Sequence, residues 1–198
     1  MKYPTLFLCS QSPRRRELLA GLNIPFEVVS VDADETYPQH LQGGDIPIYI
    51  SRAKAKAYLE QYPRQDGLLV TADTIVWLDG QVMGKPKDEK EARHMLRLLS
   101  GKTHQVYTGV TLTPMGTFAQ GREHVSFCDA TDVSFRTLTD EEIQEYVTHY
   151  RPYDKAGAYG IQEWIGYIGV TGINGSYFNV MGLPVERLYH YLSLYIDS

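Results

Sequence analysis

Apolar runs of strand length alternate along the chain with amphipathic stretches of helical period. Residues 5–10 (TLFLCS) form a short apolar run that predicts a strand, directly after Met1-Lys2-Tyr3-Pro4. Behind it, Ser12 suits an N-cap, Pro13 the first helical position and Gly21 the stop, so a short helix is expected between them. Residues 26–31 predict a second strand. Residues 32–44 are polar and predict a mobile loop, and residues 46–62 predict a helix whose basic face carries Arg52, Lys54 and Lys56. The strongest strand signal is residues 68–78 (LLVTADTIVWL), with Asp79-Gly80 as the hairpin turn after it. Residues 88–99 predict a helix with a capping box of Asp88 and Glu91. Two long alternating runs, 103–113 and 123–136, are expected to pair antiparallel across Pro114-Met115-Gly116. A second boxed helix is expected over 139–150, with Thr139 and Glu142 as its box, then a loop over 151–160. A strand over 167–171, a turn at Asn174-Gly175 and a closing helix over 184–196 complete the reading. No internal repeat and no low-complexity segment interrupts it. Strand and helix alternate first and long antiparallel runs follow, which points to a mixed α/β sheet rather than a doubly wound one.

Composition narrows the class. The chain has 198 residues, 43% hydrophobic and 22% charged, which excludes a disordered, collagen-like or coiled-coil protein. Lys plus Arg number 19 against 24 Asp plus Glu, a net charge of −5, so the chain is a poor non-specific binder of nucleic acid. Small anions remain candidate ligands where the cations cluster. Cys9 and Cys128 form no CxxC pair and no disulfide framework, which suggests a reducing compartment. The histidines show no metal-binding spacing. No apolar run approaches the ~20 residues of a membrane span, and the N-terminus lacks the apolar core of a signal peptide. No membrane partner is expected, and the chain reads as cytoplasmic.

Two features stand out as chemistry. The helices expected at Asp88 and Thr139 place acids in their first turn, as the helix dipole favours. The helix expected at Ser12 places Arg14, Arg15 and Arg16 there instead. Cations at that end cost roughly 0.3–1 kcal/mol each when exposed, and an anion bound there would reverse the sign. A strand, a serine-containing loop, a helix N-terminus and arginines together form an anion cradle, although a solvated basic turn would look the same. No GxxxxGK[ST] motif is present, so it is not a Walker loop. The second feature is Asp73, a carboxylate inside the most apolar run of the chain. Burying it is costly unless it is paired or binds metal, so it reads either as a metal-binding or water-activating group or as a cap at a strand end. Lys56 and Lys85 (in Gly84-Lys85-Pro86) have solvated-surface readings beside functional ones. The glycine-rich segments 154–162 and 173–184 would allow backbone to approach a ligand, or would simply make turns.

Taken in order, these segments resemble the Maf family of nucleotide pyrophosphatases. The resemblance is carried by Ser10-Gln11-Ser12-Pro13-Arg14-Arg15, residues 53–57 with Lys56, Ala72-Asp73-Thr74, Gly84-Lys85-Pro86, Leu99-Ser100-Gly101 with Thr103-His104, residues 154–162 and residues 175–184. They span nearly the whole length as a single domain over 1–198. The resemblance implies a Maf fold similar to that of inosine triphosphatase: an elongated mixed sheet flanked by helices, with an active-site cleft between two lobes. It implies hydrolysis of a nucleoside triphosphate to the monophosphate and pyrophosphate with a divalent cation (Mg or Mn), and often a homodimer. Asp73 is then similar to the family's catalytic acid or proton acceptor. Ser10, Ser12, Arg14, Arg15, Lys56, Thr74, Lys85 and Gln162 fall at or near substrate-binding positions, and Glu35 joins Asp73 as a metal ligand. Arg14, Thr74 and Gln162 resemble the branch acting on dTTP and UTP, and modified pyrimidine nucleotides are related candidates. Gly84 departs from those members that have Glu before Lys-Pro, so the resemblance implies no metal role at this position.

Residue chemistry fits those roles. Arg14, Arg15, Lys56 and Lys85 would hold the phosphates and offset developing charge. Ser10 and Ser12 would donate hydrogen bonds at the helix N-terminus. Asp73, with Glu35, would hold metal or activate water. Thr74 and Gln162 could read the pyrimidine edge. Two other readings stand beside this one. The first is a nucleotide-binding regulator of septum formation with little turnover. The second is a phosphatase or esterase using Ser12 as nucleophile, against which no Ser-His-Asp pattern or GxSxG elbow is present.

Overall fold

The computed structural model describes residues 4–195. Met1-Lys2-Tyr3 before the first expected strand and Ile196 at the end of the expected closing helix lie outside the described residues. The elements run β1 (Leu6–Cys9), α1 (Pro13–Ala20), β2 (Phe26–Val29), α2 (Asp45–Gln61), β3 (Gly67–Leu78), β4 (Gln81–Met83), α3 (Glu89–Leu99), β5 (Thr103–Met115), β6 (Val125–Phe135), α4 (Asp140–Tyr150), α5 (Trp164–Gly169), β7 (Val170–Asn174), α6 (Tyr177–Met181) and α7 (Val185–Leu192). The strands form a mixed sheet in the order β2-β1-β3-β5-β6-β7, with β4 beside β3. β1 is parallel to β2 and β3, whose connections pass through helices as parallel pairing requires. β4 and β7 are antiparallel to β3 and β6. On β5 and β6, Thr103 meets Ser134 at 2.7 Å and Thr111 meets Ser126 at 3.0 Å, so the two long strands run in opposite directions as expected.

The chain packs as two compact units interleaved in sequence. The first takes the residues up to Asp73, Thr108–Asp129 and those from Gly182 onward. Its core gathers Phe7, Cys9, Ala55, Tyr58, Leu69 and Met115 between α2 and the strands. β1 and the first part of β3 are buried without alternation, the signature of strands covered on both faces. The second unit, Thr74–Tyr107 with Ala130–Met181, has its own core of Val76, Leu96, Leu99, Val106, Val133, Phe135, Ile143, Tyr146 and Tyr159 among others.

Local signals explain most boundaries. Ser12 caps α1, with Pro13 at its start and Gly21 at its end. Asp79 and Gly80 adopt φ values of 51° and 81°, the two positive angles a tight hairpin turn needs. The Thr139–Glu142 box closes at α4, with Glu142 N–H donating to Thr139 and Thr139 N–H donating to Glu142. At α3 only half of the expected box forms. Asp88 accepts from Glu91 N–H, but the Glu91 carboxylate accepts from Lys87 N–H at 2.7 Å, one residue upstream. Tyr167 is not in a strand: it is 83% exposed within α5, and the strand begins at Val170. Gly166 explains the difference, because a Cβ there would stand 1.8 Å from Ile161 O. That close approach lets residues 164–169 coil where their apolar pattern reads as extended. α6 has no counterpart in the sequence reading, and α7 stops at Leu192 before a tighter turn over Ser193–Tyr195. Among the described residues, no helix is long and apolar enough to cross a membrane.

Candidate active site

In the first unit the anion cradle takes the form its sequence suggests. Ser12 adopts an extended backbone before α1, and its hydroxyl accepts from Arg15 N–H at 3.4 Å. The Ser12 N–H donates in turn to Ser10 Oγ at 3.2 Å, while Ser10 N–H donates to the carbonyls of Leu8 and Val29. The loop is thereby fixed to the ends of β1 and β2. No acid stands in the first turn of α1, so its positive end is not internally neutralised. A cavity of about 290 Å³ opens beside it, lined by Ser10, Gln11, Ser12, Arg16, Val28, Val29 and Ser30. Arg14 and Arg15 are half-buried, and Arg15 Nε donates to the Gly182 carbonyl at 2.8 Å. Burial lowers the affinity of the Arg15 guanidinium for its proton, while the fields of Asp73 and Glu35 oppose that shift. Arg15 therefore lies close enough to both carboxylates to feel their charge.

Those carboxylates meet on one ammonium. Lys54 Nζ lies 2.8 Å from Asp73 Oδ1 and 2.9 Å from Glu35 Oε1. The Lys54 and Asp73 side chains are each 13% exposed, whereas Glu35 is 50% exposed. Asp73 is thus a paired, largely buried carboxylate, not a cap at a strand end. Glu35 is presented by a local turn in which Asp34 accepts from the N–H and the hydroxyl of Thr36 at 2.8 and 2.9 Å.

Lys54 is the residue that the sequence reading missed, and Lys56 is the one it chose instead. Lys56 points away on α2: its side chain is 79% exposed and its Nζ is 3.9 Å from Glu60 Oε1. Helical phase explains the exchange. Ile46, Ile50 and Tyr58 on α2 are buried at spacing i, i+4, and Lys54 occupies the remaining place in that stripe. Lys56 shares the opposite face with Arg52 and Glu60. A lysine inside an apolar stripe was the available signal.

Buried hydroxyls hold α2 at the depth that lets Lys54 reach Asp73. Thr71 Oγ1 on β3 donates to the Ser51 carbonyl at 2.7 Å, and Ser51 Oγ meets Thr111 Oγ1 on β5 at 2.7 Å. All three residues are at most 1% exposed. At Gly109 of β5 a Cβ would stand 2.3 Å from Ile48 N and from Pro47 C, so only glycine lets the helix pack this closely.

Three expected site residues belong to the second unit. Thr74, next after Asp73 on β3, is half-buried. Lys85 is exposed just beyond β4. Gln162 is half-buried just before α5, and its Oε1 is buried with no hydrogen-bond partner among the described residues. The backbone ties the last two segments together, because Gly157 N–H donates to the Gly84 carbonyl at 3.0 Å.

Among the described residues, no three His, Cys, Asp or Glu side chains gather as a metal-binding group. The donor chemistry present is two carboxylates, Asp73 and Glu35, held together by Lys54. That set fits a hard cation such as Mg²⁺, which commonly takes one or two carboxylates and completes its shell with phosphate oxygens and water.

A family model described as Maf-like protein matches residues 5–195. A dTTP/UTP pyrophosphatase of Phocaeicola vulgatus is 59% identical over 93% of this chain and 92% of its own. One from Bacteroides thetaiotaomicron is 54% identical over 93% and 92%, and one from Porphyromonas gingivalis is 50% identical over 100% and 98%. Among solved structures, the Ham1 protein of Staphylococcus aureus aligns over 66% of this chain and 71% of its own, at 12% identity and a TM-score of 0.46. With the family model spanning all but the chain's ends, and relatives at half identity or more along their length, the chain belongs to the Maf-like protein family.

Proposed function

We propose that this protein is a pyrophosphatase that hydrolyses dTTP and UTP to the nucleoside monophosphate and pyrophosphate by attack of water on the α-phosphorus. The observation that carries the reading is the Asp73–Lys54–Glu35 cluster in the field of Arg15, beside a helix N-terminus that has no acid of its own. A triphosphate needs cations and oriented N–H groups for its charge, a carboxylate to take a proton from water, and oxygen ligands for its accompanying cation. One unit of this chain supplies all three kinds of group. Full-length relatives named dTTP/UTP pyrophosphatase support the choice of substrate.

In this reading Ser10, Ser12, Arg14 and Arg15 bind phosphate oxygens at the start of α1, and Lys85 adds a further cation. Asp73 orients and deprotonates the attacking water, and Lys54 beside it offsets charge that builds at the α-phosphate. Asp73 and Glu35 would hold a Mg²⁺ or Mn²⁺ ion, which when bound supplies Lewis-acid neutralisation of the phosphate oxygens. Thr74 and Gln162 read the pyrimidine edge, since both offer donors and acceptors. The setting we propose is the reducing cytoplasm, in keeping with Cys9 and Cys128 as free thiols.

The test is product analysis after incubation of UTP or dTTP with Mg²⁺ or Mn²⁺. Monophosphate and pyrophosphate are expected. Diphosphate with inorganic phosphate would overturn the reaction assignment. Nucleotide binding without turnover would move the protein to a regulatory role.

A further inference from the structure

Arg52 belongs to the exposed basic face of α2 and takes no part in that chemistry, yet its side chain ends a line of hydroxyls that leads into the first unit. Arg52 Nε donates to Ser126 Oγ on β6 at 2.9 Å. Ser126 Oγ meets Thr111 Oγ1 on β5 at 3.0 Å, and Thr111 Oγ1 meets Ser51 Oγ at 2.7 Å. Ser51 Oγ donates to the carbonyl of Ile48, three residues earlier on α2, at 2.8 Å. Exposure falls along this path: Arg52 is exposed, Ser126 is half-buried, and Thr111 and Ser51 are buried. A hydroxyl has one proton to give, which fixes the direction of every link. Ser51 spends its proton on Ile48, so Thr111 donates to Ser51. Ser126 therefore donates to Thr111, and a lone pair of Ser126 takes the Arg52 N–H. All five residues lie within the first unit, with Lys54, Asp73 and Glu35.

We infer that Arg52 is a positioning residue for Lys54: through Ser126, Thr111 and Ser51 it fixes the roll of α2 that presents Lys54 to Asp73 and Glu35. The inference rests on the role proposed above for Lys54. At 3.6 residues per turn, Ser51 and Arg52 stand about 100° apart around the helix. A hold at Ser51 alone lets α2 turn about that contact, whereas a second hold at Arg52, on another side of the circumference, stops the turning. Lys54 follows Ser51 by three residues and so shares the face that the hydroxyls grip. A roll of about 10° at ~6 Å from the helix axis moves a side-chain atom by about 1 Å. A misplacement of that size costs up to ~10²-fold in rate when it falls on a group that acts on the reacting atoms. The guanidinium gives the line a charged end, and a charge-assisted bond strengthens the neutral bonds that follow it.

The experiment measures kcat and KM for UTP with Mg²⁺ in the intact protein, Arg52→Ala, Thr111→Val, Thr111→Ser and Lys54→Ala, and in Arg52→Ala combined with Thr111→Val or with Lys54→Ala. Thr111→Val keeps the shape and removes the hydroxyl, whereas Thr111→Ser keeps the hydroxyl. The expected result is a fall of about tenfold in kcat for Arg52→Ala and for Thr111→Val, with KM for UTP unchanged and Thr111→Ser close to the intact protein. Arg52→Ala should add nothing to Thr111→Val or to Lys54→Ala, since all three act through one group. An unchanged kcat in Arg52→Ala overturns the inference, whatever happens to its melting temperature. A rise in KM with kcat unchanged also overturns it, because Arg52 would then touch the nucleotide itself. A further tenfold fall in the Lys54→Ala background overturns it as well, because the effect would bypass Lys54. Full turnover in Lys54→Ala overturns the role proposed for Lys54 and this inference with it, a failure distinct from the first three. Should Arg52→Ala not fold, Ser126→Ala, which cuts the same link from the other side, is read by the same criteria.

Discussion

Replacing Lys54 by alanine, with Lys56→Ala as its partner experiment, separates two lysines that look alike in sequence. Lys54 Nζ bridges Asp73 and Glu35 at 2.8 and 2.9 Å, and both it and Asp73 are 13% exposed. Removing one member of a fully buried ion pair costs ~3–5 kcal/mol, because the remaining charge is stranded. Glu35 is half in water and rehydrates easily, so the expected cost lies nearer about 2–4 kcal/mol. At this chain length each kcal/mol moves the melting temperature by about 2–4 °C, which gives a drop of about 4–16 °C. Turnover should fall further, by about 10²–10³-fold, as when one preorganised charge-stabilising donor is lost. Lys56 is 79% exposed and 3.9 Å from Glu60. Its removal should change stability by less than about 0.5 kcal/mol and leave turnover intact. The assay is pyrophosphate release from UTP at saturating substrate, beside a thermal melt of each variant. Loss of turnover in Lys56→Ala with full activity in Lys54→Ala would refute the reasoning from helical phase and from the carboxylate pair.

Other outcomes follow from the same geometry. Asp73→Asn keeps shape and burial but loses the charge, so turnover should fall by orders of magnitude while circular dichroism stays native; full activity in Asp73→Asn would remove Asp73 from the proposed chemistry. Gly109→Ala places a Cβ 2.3 Å from the α2 backbone, which should destabilise by about 1–3 kcal/mol and lower activity by shifting Lys54, both visible in melts and rates. His104 is buried against Phe135 and Tyr159, and desolvation lowers its pKa from 6.5 to about 4. Its depressed pKa means the unfolded chain takes up a proton that the folded one refuses. The stability it contributes is therefore present above pH 6.5 and is lost as pH falls toward 4, about 3 kcal/mol in all. Urea melts across that window should show a shallower slope for His104→Gln than for the unaltered protein, and identical slopes would contradict the assignment.

The sequence made local features readable and left distant ones hidden. Ser12, Pro13 and Gly21 delimit α1 because caps and stops act within a few residues. Asp73 announces itself as a charge in an apolar run, and its burial beside Lys54 bears out that anomaly. Lys54 was within reach of the same logic, since it interrupts the stripe of Ile46, Ile50 and Tyr58. Treating the basic residues of α2 as one face hid it. What could not be read are pairings across the chain. Ser51 with Thr111, and Tyr146 with Gly160 and Glu163, join residues whose spacing carries no local pattern. The extended reading of residues 167–171 failed for a related reason: the contact of Gly166 with Ile161 is tertiary, and it overrode an apolar pattern that suits a strand.

The central claim is hydrolysis at the α-phosphorus, and the position of solvent oxygen tests it most directly. UTP or dTTP is turned over with Mg²⁺ in water enriched in ¹⁸O, and the products are weighed by mass spectrometry. The account predicts one heavy oxygen in the nucleoside monophosphate and none in pyrophosphate. Label in pyrophosphate, or release of nucleoside diphosphate and inorganic phosphate, would contradict it.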